Sequence, residues 1–142
     1  MTVIEPRTDR STPLTVLVVD DEALTRMAAA DAFHQAGFVV IEKRNAAAAI
    51  QALEGQALQG QAPQGEAVRI DALFTDVNMP GSMDGIMLAH YTHEHWPAVS
   101  LLVTSGQTQA LAEDMPDKCR FFRKPYDIDR VVSHIRQMGH AA

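Results

Sequence analysis

The sequence predicts an α/β domain in which five short strands alternate with five helices and form one parallel sheet covered on both faces. Three observations predict it. Leu14, Val16, Leu17, Val18 and Val19 form a nearly continuous apolar run, as suits a central strand buried on both sides. Strand-like and helix-like segments then alternate to the end of the chain. Finally, strands one, three, four and five each stop at a polar residue with reactive chemistry: Asp20, Asp76, Thr104 and Lys124.

The elements follow in order. Residues 1–13 are polar, contain Pro6 and Pro13, and read as a flexible tail. After the first strand, Leu24, Met27, Ala28, Ala32, Phe33 and Ala36 recur at helical spacing, and Gly37 stops that helix. Phe38 to Ile41 form the second strand. Asn45 caps a helix over Ala46 to Leu53. Gly55 to Glu66, rich in Gly, Gln and Ala, reads as a flexible linker. Ala72, Leu73 and Phe74 build the third strand. A helix starting at Asp84-Gly85 carries Ile86, Leu88 and Ala89, and Pro97 ends it. Val99 to Val103 form the fourth strand, and a short helix follows near Thr108 to Glu113. Arg120 to Arg123 form the fifth strand. Asp127 caps a last helix with Ile128, Val131, Val132, Ile135 and Met138 at helical spacing.

Composition narrows the function. The 142 residues suit one domain, and 46% of them are hydrophobic, enough for a packed core. The formal net charge of -6 argues against direct DNA binding, which needs clustered Lys and Arg, and favours protein partners. A single cysteine, Cys119, excludes an intramolecular disulfide and reads as a small core or surface residue. No apolar run approaches the roughly 18 residues of a membrane span. The first ten residues carry no apolar signal region, so the expected compartment is the cytoplasm.

In open parallel sheets, ligands bind beyond the carboxyl ends of the strands, where strand order switches direction. With a flavodoxin-like order, 2-1-3-4-5, strands one and three are neighbours and Asp20, Asp21 and Asp76 converge. Two such charges about 4 Å apart repel by roughly 4 kcal/mol at an effective dielectric near 20. A hard divalent cation with oxygen ligands relieves that repulsion, and Lys124 adds a fixed positive charge. The set is suited to phosphoryl chemistry with a carboxylate nucleophile.

From about Leu14 to Met138 the sequence resembles the response-regulator receiver family. The resemblance is carried by Val18-Val19-Asp20-Asp21-Glu22, Thr75-Asp76-Val77-Asn78-Met79-Pro80 with Met83-Asp84-Gly85, Val103-Thr104-Ser105-Gly106, and Phe121-Phe122-Arg123-Lys124-Pro125-Tyr126. It implies a (βα)5 three-layer sandwich, here expected over residues 14–139; the 142 residues leave no room for an effector domain, and none is expected. It also implies that Asp76 accepts a phosphoryl group from a sensor histidine kinase or a histidine phosphotransfer protein. Mg2+ or Mn2+ is then held by Asp20, Asp21, Asp76 and the carbonyl of Asn78. Thr104 and Lys124 engage the phosphoryl group, Lys124 standing before a residue, Pro125, that is usually a cis proline. Thr104 and Phe121 form the switch that alters the surface for a downstream effector protein. Homodimerisation through the fourth helix, fifth strand and fifth helix stays open.

Two departures from the family pattern stand out. The segment Pro80-Gly81-Ser82-Met83-Asp84-Gly85 is one residue longer than the commonest form, and the stretch from Thr104 to Lys124 is short. Gly106 offers little shielding, so self-dephosphorylation should be modest to fast. Two other readings compete. One is a phosphorylation-independent interaction module, against which the intact acidic set argues. The other is a Mg2+-dependent phosphatase or phosphotransferase acting on small molecules; such enzymes need a second acid/base carboxylate and usually a cap domain, and the sequence has no obvious cap. His90, His93 and His95 read as a solvated helix face rather than metal ligands, since no Cys or carboxylate completes a set.

Overall fold

A computed structural model describes residues 13–59, 69–81, 83–106 and 115–141, without the side chains of 57–59 and 139–141. Five strands, β1 (Thr15–Val19), β2 (Val39–Lys43), β3 (Ala72–Asp76), β4 (Ser100–Ser105) and β5 (Arg120–Arg123), form one parallel sheet of order β2-β1-β3-β4-β5. Four helices are described: α1 (Ala23–Gln35), α2 (Ala46–Gln59), α3 (Gly85–His95) and α4 (Ile128–Ala141). The helix expected near Thr108–Glu113, the tail over residues 1–12 and Ser82 in the long loop lie outside the described residues.

The alternation of side chains along each strand separates two cores. Val16 and Val18 of β1 and Phe74 of β3 point to the face covered by α1 and α4, where they meet Phe33, Val131 and Ile135. Leu17 and Val19 of β1 and Leu73 of β3 point to the face covered by α2 and α3, where they meet Ala49, Leu53 and Leu88. This is the three-layer sandwich that the alternating pattern predicts. Phe33 is fully buried and packs edge-on against Phe74, ring centroids 5.4 Å apart. Truncating it to alanine removes about 3–5 kcal/mol of stability.

The predicted caps Asn45 and Asp127 form, and Asp84 adds a third. Asn45 Oδ1 accepts the amide of Ala48 at 2.8 Å, Asp84 Oδ1 that of Met87 at 2.9 Å, and Asp127 Oδ1 that of Asp129 at 3.0 Å. Gly37 takes φ +98°, the left-handed conformation that ends α1 at little steric cost.

Two expectations are corrected. The linker expected from Gly55 does not begin there: α2 continues to Gln59, with Gly55 inside it. One glycine costs a helix about 1 kcal/mol. The surrounding Ala, Gln, Glu and Leu favour the helix, and Gln56 adds a tertiary bond by accepting the Ile70 amide at 2.8 Å. The apolar face expected on α1 is also displaced. Leu24 and Met27 are 80% and 54% exposed, and the buried residues are Ala29, Ala30 and Phe33. In an alanine-rich helix several apolar stripes compete. The one chosen here carries the large ring into the core.

Candidate functional site

The carboxyl ends of β1 and β3 lie side by side, in register from Val16↔Ala72 to Val19↔Thr75. The next residues of the two strands are Asp20 and Asp76. Carboxylate oxygens of Asp20, Asp21 and Asp76 all fall within 4.8 Å of one another. Asp20 and Asp76 are buried, whereas Asp21 is exposed at the mouth. Lys124, just beyond β5, reaches across the strand ends and places Nζ 3.2 Å from Asp76 Oδ1. The Lys124–Pro125 peptide bond is cis.

Burial pushes the Asp76 carboxyl above the usual carboxylate range. The Lys124 ammonium offsets part of that effect, while Asp20 and Asp21 add to it. Asp20 is raised for the same first reason. It is partly offset by the Glu22 amide, which donates to Oδ1 at 3.0 Å, and by Lys124. The protein has therefore gathered negative charge where water solvates it poorly, and one lysine only partly balances it.

A hard divalent cation fits this donor set. Three oxygen ligands converge without nitrogen or sulfur, and a cation there would relieve both the desolvation and the mutual repulsion. Asn78, expected to add a carbonyl, is exposed two residues past β3.

Thr104 is the β4 register partner of Asp76 and is buried, and its carbonyl accepts the Val77 amide at 2.9 Å. Phe121 lies one strand further out, opposite Val103. It is half-buried against Val77, Ala89 and Val103. The site and this small apolar cluster thus share β4, with Thr104 on the polar side and Val103 on the apolar side. Gly106 follows at the strand end, exposed, and among the described residues nothing lies within 4 Å of where a side chain would start.

Three residues that shape the site were not singled out for these roles from the sequence. Arg26, on the first turn of α1, donates through NH1 to the Asp20 carbonyl at 2.9 Å and through Nε to Glu42 at 3.2 Å. Helical side chains lean toward the N-terminus, so its position just after the acidic pair was a usable signal. Tyr126 packs its ring edge-on against Phe74, and its hydroxyl is pushed up by burial and by the charges of Asp20 and Asp76. Gly85 sits against the backbone of Asp76 so closely that a Cβ there would overlap the Asp76 carbonyl. The sequence showed Gly85 only as a helix start. Its second role depends on a loop that folds α3 back onto β3.

Among the described residues, no helix is long and apolar enough to cross a membrane.

The likeness to known proteins agrees with this geometry. Over 138 residues, 95% of this chain, the sequence is 31% identical to the sensor kinase CckA of Brucella abortus (strain 2308), of which it spans 13%. The solved receiver domain of the hybrid histidine kinase CckA is 27% identical, with a TM-score of 0.65 over 87% of this chain and 97% of that one. The response regulator protein TrrA of Thermotoga maritima, solved in complex with Mg(2+)-BeF, shares the fold at 15% identity. Its TM-score is 0.69 over 88% of this chain and 98% of that one. Residues 16–136 match the response regulator receiver domain, and the chain belongs to that family of two-component signalling proteins.

Proposed function

We propose that Asp76 is the phosphoacceptor of this receiver domain and that Asp20, Asp21, Asp76 and the Asn78 carbonyl hold Mg2+ or Mn2+ beside it. The observation that carries this reading is the gathering of three carboxylates within 4.8 Å, faced by Lys124 at 3.2 Å from Asp76. The TrrA complex with Mg(2+)-BeF supports it as a neighbour of the same fold.

An Asp76 oxygen attacks the phosphorus of a phosphohistidine on a sensor kinase or a phosphotransfer protein. The P–N bond breaks, its electron pair stays on the imidazole nitrogen, and a proton from solvent neutralises that nitrogen. When bound, the cation supplies positive charge to the phosphoryl oxygens as the bond order shifts. Lys124 exchanges part of its pairing with Asp76 for a phosphoryl oxygen. The new group carries about -1.5 to -2 charges and three acceptors, and Thr104 donates its hydroxyl to one of them. That movement opens room beside Val103 for Phe121 and changes the surface around β4 and β5. The altered surface controls a downstream effector protein or passes the phosphoryl group on, in the cytoplasm. The protein is not a turnover enzyme. It catalyses only its own phosphorylation and dephosphorylation.

The test is titration with beryllofluoride and Mg2+, followed by amide resonances, together with mass analysis after a small phosphodonor. Wild type responds and Asp76→Ala does not. A silent wild type, or the same response in Asp76→Ala, sinks the assignment. Partner binding unaffected by Asp76→Ala would instead favour a phosphorylation-independent interaction module.

A further inference from the structure

Between β1 and α1 the chain bends at Asp21 and Glu22, and hydrogen bonds hold that bend from both sides. The Asp20 amide donates to the Lys43 carbonyl at the end of β2, at 3.1 Å. The Asp20 carbonyl accepts from Arg26 Nη1 at 2.9 Å. Asp20 Oδ1 accepts the Glu22 amide at 3.0 Å, and the Glu22 carbonyl accepts the Arg26 amide at 2.9 Å. Asp21 follows the held carbonyl and is exposed. The direction of its carboxylate therefore depends on the planar peptide that Arg26 grips.

Arg26 is itself braced. Its Nε donates to Glu42 Oε1 at 3.2 Å, and Glu42 is the β2 register partner of Val18. One guanidinium thus ties the bend to the neighbouring strand. It does so with two donors of fixed relative direction, which an ammonium cannot match. The Arg26 side chain is 18% exposed, so water competes poorly for these bonds.

An arginine beside a cation site runs against simple electrostatics, since its charge repels the cation. Here Glu42 offsets that charge, and the guanidinium meets the carbonyl of Asp20. Groups that hydrogen-bond behind a metal ligand fix its orientation and raise affinity.

We propose that Arg26, braced by Glu42, is a positioning residue for the cation site. It sets the peptide between Asp20 and Asp21 so that the Asp21 carboxylate joins those of Asp20 and Asp76. The proposal rests on the reading of these carboxylates as cation ligands, and it carries a sign that charge alone would reverse. Removing Arg26 takes away positive charge, which by itself tightens cation binding. Loss of positioning loosens it.

The experiment uses the full chain and Mn2+ as the probe, with free Mn2+ counted by electron paramagnetic resonance. A urea melt of each variant establishes that it is folded under the titration conditions. Arg26→Ala should bind Mn2+ about tenfold or more weakly than wild type. Arg26→Lys keeps the charge and the aliphatic stem but not the two-donor fork, and should bind about threefold or more weakly. It decides the matter alone if the alanine variant does not fold. In metal-free buffer, the Asp21 and Glu22 amide resonances should shift in both variants. Glu42→Ala should weaken binding in the wild type and add little once Arg26 is alanine, because the two act as one unit. Mn2+ binding by either Arg26 variant as tight as wild type, or tighter, overturns the proposal and leaves the acidic site standing. A full further loss from Glu42→Ala in the Arg26→Ala background also overturns it. Asp21→Asn should nearly abolish binding. A wild type that ignores Mn2+, or an Asp21→Asn variant that binds like wild type, removes the cation site itself and this proposal with it.

Discussion

Lys124 Nζ stands 3.2 Å from Asp76 Oδ1, so the side chain assigned to receive a phosphoryl group is held by the amine assigned to grip that group afterwards. The two residues are 48 positions apart and end strands on either side of β4. This pairing sets the resting charge balance of the site. Without it, Asp76 is a buried carboxylate beside two others.

Removing that amine should therefore be felt twice. Lys124→Ala should lose about 1–3 kcal/mol of stability at neutral pH in a chelator, since it strands a buried charge. It should also weaken beryllofluoride binding by about tenfold or more. Urea unfolding and a fluoride titration measure the two effects. Stability equal to wild type would show that the ion pair contributes nothing to the fold.

The raised carboxyl of Asp20 gives a pH dependence of definite sign. A carboxyl whose folded pKa lies above its unfolded value of about 3.8 favours the fold while it is protonated. That contribution is full below the unfolded value and is lost as pH rises through the folded one. In metal-free buffer, Asp20→Asn should therefore melt higher than wild type at neutral pH. The gap should close as pH falls into the carboxylate range. Mg2+ should reverse the order at neutral pH, because it stabilises the wild type and binds the variant poorly. Melting curves with chelator and with Mg2+ across that range decide the matter. A wild type that melts above Asp20→Asn in chelator would contradict it.

Two glycines near the site should respond oppositely to substitution. Gly85→Ala drives a Cβ into the Asp76 carbonyl, so either the loop or β3 must move. It should cost about 1–3 kcal/mol and reduce phosphoryl uptake. Gly106→Leu, at the end of β4, meets no atom of the described residues within 4 Å of its Cβ. It should leave stability near wild type and slow the decay of the phosphorylated form by about threefold or more, through exclusion of water. Phosphate release after rapid removal of the donor follows the second effect. Unchanged decay would count against steric access as the limit.

Cys119 should be inert. Burial pushes its thiol up to about 12, and its sulfur lies 3.8 Å from the Met115 sulfur. Alkylation by iodoacetamide near pH 8 should run about a hundredfold or more slower in the folded protein than in urea, since the thiolate is the nucleophile. Equal rates would show an accessible thiolate in the fold.

Much of this architecture was legible because it rests on local rules. Val16 to Val19 had to be buried on both faces. Asn45 and Asp127 read as helix caps, and the alternation of strand and helix left a parallel sheet as the economical solution. The acidic pair after β1 and Asp76 at the end of β3 pointed to one pocket because strand ends gather ligands. What escaped were features set by contacts between distant segments. Leu24 and Met27 have the right spacing for a buried stripe, yet Phe33 turned α1 so that they face outward. Gly55 looked like a break, yet Gln56 reaches Ile70 and α2 runs on. Arg26, Gly85 and Tyr126 gained their places at the site only when α1, α3 and the end of β5 packed against β1 and β3.

By itself, the sequence determined the order of elements, the parallel sheet and which chemical groups stand at the strand ends, because periodicity, capping and strand polarity act over a few residues. Only the tertiary structure decided which face of α1 is buried, how near Lys124 comes to Asp76, and that Gly85 lies against the Asp76 carbonyl. Those outcomes depend on how side chains from segments far apart in the chain fill one volume and balance one another's charge, and no local pattern encodes that sum.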